Sequence, residues 1–335
     1  DCLLSRGLGD VYKRQAIQWV QQWQHGAQTP APAPAAATGP ARPTITTYKG
    51  KIMRNLSRRR FVATTLAAGA ALALPGLAFA EGGSLADIKK RGKLTVGTEA
   101  AYEPFEFVEN GQVVGYGHDL LQLMAAKLGV QLEQMNLPFQ GLLPGLMSRK
   151  FDLVATSVGI TPERARRFAF TQPVGVVKSV LMVRVDDATI KQSMDLAGKI
   201  IGTQMGSSSQ PVAEEFEKRL KAQAGKGYAD TKLFQAYPDV SNALANKTVD
   251  VALMPSNIAA VQMRKQPNAF RIAGEIGDAK LLAWVANPKD LEIRQFVNDT
   301  LDELRANGQL LTLQQKWFGG PMETPRAGYL PDGAV

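Results

Sequence analysis

Short apolar runs alternate with longer amphipathic segments along residues 93–186. Four runs have the length and composition of strands, and they lie at 93–98, 130–137, 151–158 and 179–186. Residues 115–130 repeat apolar positions at helical spacing, with Asp119 placed to cap the helix and Gly129 placed to end it. A shorter helix is predicted at 141–150 in spite of Pro144. This order predicts an α/β fold with a doubly wound, mostly parallel sheet.

The same alternation restarts in LAGKIIGTQMG, where a strand runs into a helix predicted at 207–220. Further strands are predicted at 232–237, 249–254 and 281–286, and further helices at 239–248, 257–265 and 289–319. Extended crossings near 181–188 and 279–287 connect the two α/β units. We therefore expect two lobes with a ligand cleft between them. One lobe comprises 81–184 plus 282–320, the other comprises 185–281, and residues 321–335 form a C-terminal tail.

The charge of the chain is distributed unevenly. The formal net charge is +9, but residues 1–80 hold 10 of the 39 basic residues and only 2 of the 30 acidic ones. From Glu81 onward the sequence has 29 basic and 28 acidic residues, so its net charge is close to zero. A nucleic-acid partner is therefore not expected.

The first 80 residues have the composition of a leader rather than of a packed domain. Residues 1–52 contain the stretch TPAPAPAAATGPARPT and are predicted to be disordered or extraneous upstream sequence. Residues 53–80 combine a basic start, an apolar centre and the small-residue site AFA, which predicts an export signal cleaved after Ala80. The SRRRF sequence at 57–61 resembles a twin-arginine signal. We expect a periplasmic protein, and whether export is twin-arginine or general secretory stays open.

Few residues of the part that follows suit catalysis or metal binding. The one cysteine of the chain is Cys2, and after residue 80 the one histidine is His118. No P-loop, His-Glu-x-x-His motif or complete dinucleotide fingerprint is found. The sequence therefore predicts no metal site, no cofactor and no catalytic residues.

Two predicted helix starts have the features of anion sites. Thr161 and Pro162 form a helix start, and Arg164 adds a guanidinium that fits a carboxylate. In the other predicted lobe, MGSSSQP at 205–211 places glycine and three hydroxyls where a helix begins. Lobe closure would bring both starts onto one anion. The alternative is that Arg164 is a surface residue, as we expect Arg166 and Arg167 to be.

Two aromatic residues follow predicted strands on the same side of the expected cleft. Tyr102 comes after the first strand and Phe139 after the second. They are candidates for the walls of a ligand pocket, although aromatic residues at such positions also serve as core.

Several motifs, in order, resemble those of the bacterial family 3 solute-binding proteins, the periplasmic receptors of polar amino acid ABC transporters. The resemblance covers essentially 92–319, and its most extensive piece is PFQGLLPGLMSRKFDLVATSVGITPERARRFAFTQPV. It implies a type II periplasmic-binding-protein fold, whose two lobes close on a ligand and then dock on a membrane permease. By matching position, the resemblance implies a set of ligand-binding residues: Glu99, Tyr102, Phe139, Ser157, Gly159, Arg164, Ser207, Ser208 and Pro255. Arg164 would hold the ligand carboxylate, and Glu99 would contact its far end.

The sequence departs from the family pattern at the expected ammonium site. Amino acid binders of the family usually have Asp five residues after the Asp that corresponds to Asp250, and here that position is Pro255. A buried ammonium without a carboxylate is costly. The ligand therefore lacks an ordinary α-ammonium, or Glu99 holds that group instead. The hydroxyl that is usual at position 159 is also missing, because Gly159 stands there.

These features predict an exported, monomeric solute-binding protein that delivers an amino acid or a related small carboxylate to an ABC permease. The alternative from another class is a periplasmic enzyme similar to cyclohexadienyl dehydratase, which shares the fold. Such an enzyme needs an acid group in its cleft, and Glu99 is the evident candidate.

Overall fold

The computed structural model describes residues 83–335. The upstream segment, the export signal, its cleavage site and the first two residues of the predicted mature chain lie outside the described residues. None of the helices in the described part is long and apolar enough to cross a membrane.

The described chain alternates strands and helices, as the apolar pattern predicts. The strands are β1 (Lys93–Thr98), β2 (Ala101–Tyr102), β3 (Glu106–Glu109), β4 (Gln112–Val114), β5 (Gln131–Asn136), β6 (Leu153–Gly159), β7 (Ala169–Arg184), β8 (Ile200–Gln204), β9 (Asp230–Phe234), β10 (Val251–Pro255) and β11 (Phe270–Ala286). The helices are α1 (Leu85–Arg91), α2 (Tyr116–Leu128), α3 (Phe139–Met147), α4 (Pro162–Ala165), α5 (Ser209–Ala224), α6 (Tyr237–Ala245), α7 (Ser256–Lys265), α8 (Leu291–Ala306) and α9 (Gln309–Phe318).

Eight strands form one sheet in the order β5-β1-β6-β11-β7-β10-β8-β9. Strands β5, β1 and β6 are parallel to one another, and so are β10, β8 and β9. We call these the first and second parallel groups. The fold class is therefore the predicted one, an α/β fold with a mostly parallel central sheet and helices.

The two parallel groups are joined by a long antiparallel ribbon. Strands β7 and β11 pair with each other, while β11 also pairs with β6 and β7 with β10. The sequence predicted only separate pieces of these strands, at 179–186 and 281–286. Strand β7 begins ten residues earlier because its backbone stays paired through Pro173 and Gly175, both of which face β11.

A three-stranded antiparallel sheet of β2, β3 and β4 was not predicted. Its strands are two to four residues long, too short to show a clear alternation of polar and apolar positions. It inserts between β1 and α2 and places Tyr102 and Glu106 opposite each other.

Several predicted helix ends are also corrected. Helix α2 begins at Tyr116, so Asp119 lies within its first turn instead of capping it, and Gly129 ends it in the left-handed conformation as predicted. Helix α5 begins at Ser209 rather than 207. The single helix predicted at 289–319 is divided into α8 and α9 by Asn307 and Gly308, the latter with φ of 80°.

The ring of Phe151 packs between a strand of the first parallel group and helix α3. The ring is buried and lies between Gly97 of β1 and Gly145 of α3. A Cβ atom added to Gly97 would lie 2.6 Å from the ring, and one added to Gly145 would lie 2.7 Å from it. Because the ring is confined on both sides, it cannot move away from an added methyl group.

Gly97→Ala should therefore destabilise the protein by about 1–3 kcal/mol through overpacking. The matched control is Gly274→Ala in β11, where the nearest atom to an added Cβ is 3.9 Å away. We expect the control to change the free energy of unfolding by no more than about 0.5 kcal/mol. Urea titration of both variants tests this. Equal midpoints for the two variants would show that the Phe151 ring does not exclude a side chain at position 97.

Candidate functional site

The residues predicted to bind a ligand lie at or just after the carboxyl ends of parallel strands from both groups. Glu99 follows β1, Phe139 follows β5, and Gly159 ends β6. In the second group, Ser207 and Ser208 follow β8, and Pro255 ends β10. This edge of a parallel sheet is where α/β proteins bind their ligands.

Arg164 connects the two parallel groups. Thr161 caps α4 by accepting a hydrogen bond from the Arg164 amide at 3.3 Å, and Pro162 occupies the first helical position. The guanidinium donates to the main-chain oxygen of Gly159 at 3.0 Å and to that of Gly206. These oxygens belong to β6 and to the loop after β8, so one side chain spans the two groups.

The surroundings of Arg164 favour a bound anion. The guanidinium lies over the Phe139 ring, with its carbon 5.6 Å from the ring centre. Burial lowers the pKa of Arg164, while Tyr237 and Glu163 act in the opposite direction. Among the described residues, its hydrogen-bond partners are carbonyl oxygens and not carboxylates. A desolvated cation with no anion hydrogen-bonded to it is stabilised when a carboxylate binds.

The start of α5 meets β6 at a very short distance. A Cβ atom added to Gly159 would lie 2.5 Å from the Ser208 hydroxyl oxygen, so glycine is required for this contact. Ser207 is buried, donates to the Gln204 carbonyl at 2.8 Å and accepts from the Ser209 amide at 3.2 Å. The structure thus brings Gly159, Ser207 and Ser208 next to Arg164. It also gives the physical reason why a hydroxyl residue does not stand at position 159.

Glu99 forms a second contact between the two groups. Its buried carboxyl accepts a hydrogen bond from the Gln204 side-chain amide, which also donates to the Gln235 carbonyl at 2.9 Å. Burial raises the pKa of Glu99 to about 8, against the lowering effect of the Gln204 bond. At neutral pH this carboxyl is therefore mostly protonated.

Glu106 is a functional candidate that the sequence analysis missed. It is fully buried, and the hydroxyl of Ser157 donates to its Oε2 at 3.2 Å. Its other oxygen, Oε1, has no hydrogen-bond partner among the described residues. Burial raises the pKa of Glu106 to about 8, and the nearby Glu99 contributes to the rise. The sequence did contain a signal for a buried acid, because Glu106 stands between two phenylalanines in PFEF.

The two predicted aromatic residues do not face each other. Tyr102 lies against Tyr237 of the second group, with ring centres 6.0 Å apart at 62°. Phe139 instead packs under Arg164. Tyr237 is buried, its hydroxyl lies 3.1 Å from the Ser209 hydroxyl, and burial raises its pKa to about 12. Tyr237 was also missed by the sequence analysis, which placed it at the end of a strand predicted at 232–237, whereas that strand ends at Phe234 and Tyr237 begins α6.

Pro255 is buried at the end of β10, where it pairs with Ser179 of β7. Two residues later, the Asn257 side chain donates to the Glu103 carbonyl at 3.4 Å. The Glu103 carboxylate pairs with Arg264 at 2.7 Å and with Lys265 at 2.5 Å. Residues of α7, which follows this strand end, thus contact Glu103 in the loop after β2.

A groove of about 560 Å³ lies at the surface beside Arg164. Thr161 and Arg167 line it on one side, and Gly206, Ser207 and Gln210 line it on the other. Arg166 and Arg167 are exposed, as predicted. Among residues 83–335 there is no cluster of three or more histidine, cysteine, aspartate or glutamate side chains that could hold a metal ion.

The profile of the bacterial extracellular solute-binding proteins, family 3, matches residues 94–320. The arginine-binding extracellular protein ArtP of Bacillus subtilis is 31% identical over 234 residues, which cover 68% of this chain and 87% of ArtP. The L-cystine-binding protein TcyJ of Escherichia coli is 29% identical, with coverage of 72% of this chain and 88% of TcyJ.

Solved structures show the same relationship. A mutant of ArgBP from T. maritima superposes with a TM-score of 0.62 at 30% identity, covering 70% of this chain and 99% of ArgBP. An ancestral amino acid-binding protein, described as a precursor of cyclohexadienyl dehydratase, gives 0.63 at 28% identity with the same coverage. An ancestral arginine-binding protein bound to arginine gives 0.62 at 32% identity, covering 68% of this chain and 99% of the other.

Glu106 makes the stability of the protein depend on pH. Its pKa is raised from 4.5 to about 8 on folding, so the folded state retains a proton that the unfolded state loses. The associated stabilisation is complete below pH 4.5 and is lost as the pH rises to about 8. Glu106→Gln should remove a slope of up to about 1.4 kcal/mol per pH unit from the free energy of unfolding in this interval.

Urea titrations at pH 5, 6, 7 and 8 measure this slope. The matched control is Glu109→Gln, because Glu109 is an exposed glutamate on the same strand. A Glu106→Gln protein that loses as much stability between pH 5 and pH 8 as the unmodified protein would refute the assignment.

Proposed function

Because the chain belongs to the bacterial extracellular solute-binding proteins of family 3, we propose that it captures an amino acid or a related small carboxylate and delivers it to the permease of an ABC importer. Among the similar proteins, ArtP and one ancestral protein are described as arginine-binding, and TcyJ is described as L-cystine-binding. Their names identify them as binding proteins, which agrees with a transport role rather than catalysis.

The single observation that carries the proposal is the position of Arg164. Its guanidinium lies between the two parallel groups, is desolvated, and donates to main-chain oxygens of both groups. A ligand carboxylate is a stronger acceptor than these carbonyls and suits a bidentate contact with the guanidinium. The amide groups near Ser157 and Gly159 and the start of α5 at Ser207 and Ser208 complete the proposed carboxylate site.

The opposite end of the proposed ligand lies near Glu99. Pro255 cannot hold an ammonium group, whereas Glu99 lies at the interface of both groups beside Gln204. With Tyr102 and Tyr237 it forms a buried, partly aromatic wall. We therefore propose that Glu99 takes the role of the missing acid, becomes ionised when it meets a ligand ammonium, and releases its proton.

Closure is proposed to occur about the β7–β11 ribbon, with 81–184 plus 282–320 as one lobe and 185–281 as the other. The contacts that then join the lobes include Arg164 with Gly206, Glu99 with Gln204, Gln140 with Met205, and Glu103 with Arg264. A ligand that contacts both lobes shifts the population toward the closed form. We further propose that the protein is exported by the signal at 53–80, acts in the periplasm and is a monomer.

One observation favours a second candidate function, a dehydratase. A buried carboxyl with a pKa of about 8, such as that of Glu99, is a suitable general acid at neutral pH. One structural relative is described as a precursor of cyclohexadienyl dehydratase. Turnover of arogenate or prephenate by the purified protein would establish this function, and its absence alongside tight amino acid binding would support transport.

Arg164→Ala should weaken ligand binding by about 100-fold or more, because it removes a charged partner of the carboxylate from a desolvated site. The control Arg166→Ala should change affinity by less than about twofold, since its side chain is exposed. Isothermal titration calorimetry with the best ligand of a thermal-shift panel measures both. Equal affinity of the two variants would remove Arg164 from the proposed site.

The panel separates the two ends of the ligand. It contains L-arginine, L-cystine and L-glutamine together with agmatine, which lacks the carboxylate, and 5-guanidinopentanoate, which lacks the α-amine. A true ligand at free concentration c stabilises the folded state by RT ln(1 + c/Kd), so the midpoint of thermal unfolding rises with the logarithm of its concentration once that exceeds Kd. We expect agmatine to give no shift, because it has no group for Arg164.

Glu99→Gln should reduce the affinity for an amine-bearing ligand by about 10- to 100-fold and leave the affinity for its deaminated analogue within about twofold. Binding of the amine-bearing ligand to the unmodified protein should release about one proton at pH 7, since the pKa of Glu99 begins near 8. Calorimetry in two buffers of different ionisation enthalpy measures this proton. An equal loss of affinity for both ligands would show that Glu99 does not contact the amine.

A further inference from the structure

Residues 321–335, here called the strap, lie beyond the range that the family profile matches. The strap is held at its beginning by α9. Met322 is buried, its amide donates to the Gln314 side chain at 3.1 Å, and its carbonyl accepts from that side chain at 2.9 Å. This pair of hydrogen bonds fixes where the strap leaves the helix.

The strap then crosses α8. Arg326 pairs with Asp302 of α8 at 3.0 Å. Tyr329, Leu330 and Ala334 are half-buried and pack on one particular apolar cluster. That cluster contains Phe139, whose ring lies under Arg164, and three residues close to Arg164 in sequence, namely Ile160, Ala165 and Phe168.

The far end of the strap contacts α4 directly. The Val335 amide donates to the Ala165 carbonyl at 2.9 Å, and Arg294 of α8 donates to the Val335 carbonyl at 2.7 Å. Ala165 is the last residue of α4 and follows Arg164 immediately. The last carbonyls of a helix need partners from outside it, and the strap supplies one of them.

A helix of four residues has little stability of its own, so its neighbours determine its position. One end of α4 is fixed by Thr161, which accepts from the Arg164 amide. The other end is fixed by the strap. A shift of α4 moves the guanidinium of Arg164, whose hydrogen-bond partners among residues 83–335 are the carbonyl oxygens of Gly159 and Gly206.

We infer that the strap is a positioning element for the ligand-binding arginine, which it holds by capping α4 through Ala165 and by covering the apolar cluster around it. Its effect on binding rests on the proposed function, whereas its effect on α4 does not. Loss of the strap end should therefore loosen α4 locally and shorten the lifetime of the bound state.

The experiment compares the full chain with a variant that lacks residues 332–335 and with Arg294→Ala, which removes one anchor of Val335 and keeps the strap. Hydrogen exchange without ligand reports the amides of 165–168, which bond within and just after α4. We expect their exchange to be roughly tenfold faster in the truncated variant and to increase by a smaller factor in Arg294→Ala, while the exchange of β1 and β6 is unchanged.

The binding readout is the dissociation rate of L-arginine by stopped flow. It should rise by roughly tenfold in the truncated variant, with an association rate within about twofold of that of the full chain. The control Arg326→Ala removes an exposed arginine of the strap whose ion-pair partner in the described chain is Asp302 of α8, and it should leave both readouts unchanged.

Unchanged exchange at 165–168 in folded variants would overturn the inference. A uniform increase of exchange over residues 83–335 would also overturn it, because the strap would then stabilise the fold as a whole and not α4 in particular. If the full chain does not bind L-arginine, then arginine is not its ligand. The exchange of the α4 amides, which is measured without ligand, still decides the role of the strap. If the truncated variant does not fold, the comparison of Arg294→Ala with Arg326→Ala decides it.

Discussion

The site depends on one half-buried, partly desolvated guanidinium that has carbonyl partners on both sides of the interface. Arg164 donates to Gly159 and to Gly206, and no carboxylate of the described residues is among its hydrogen-bond partners. Such a group carries its charge at a cost that a ligand anion removes. The short helix that bears it, the glycine whose carbonyl accepts from it and the phenylalanine ring beneath it together hold the guanidinium in place.

The interface has an electrostatic polarity that follows from burial. A cation lies at the Arg164 end, and two carboxyls of raised pKa, Glu99 and Glu106, lie toward the other end. Both carboxyls are largely neutral at pH 7, so the site does not carry two unpaired negative charges in addition to its one cation. A zwitterionic ligand bound as proposed would match this polarity, with its carboxylate on the arginine and its ammonium beside an acid.

The sequence was sufficient for the fold class and for the edge of the sheet at which the site lies. Parallel strands are buried on both faces and read as apolar runs, so the residues that follow them, such as Glu99 and Gly159, were identifiable. The partners of these residues were not. Gln204 and Tyr237 meet Glu99 and Tyr102 across more than 100 positions of sequence, and no local pattern reports such contacts.

Contacts between residues far apart in sequence also explain why the sequence did not predict the full β7–β11 ribbon or the position of the strap. Strand β7 contains Pro173 and Gly175, which read as a turn when taken alone, and only pairing with β11 keeps them extended. The last residues of the strap are small or apolar and lack periodicity, so their contact with α4 could not be foreseen. In each case tertiary contacts determine the local conformation.

The β7–β11 ribbon is also irregular. Its pairing shifts register at four places, and between Ile276 and Lys280 three residues of β11 face a single residue of β7. Such irregularities bend and twist a ribbon while most of its hydrogen bonds are kept. In the proposed closure, the ribbon bends while it keeps most of its hydrogen bonds, so the free-energy difference between the open and closed forms would come mainly from side-chain contacts between the lobes, such as those of Gln140 and Glu103. That difference enters the ligand dissociation constant directly. Affinity can thus evolve by substitutions at residues that never touch the ligand, while the chemistry of recognition stays fixed.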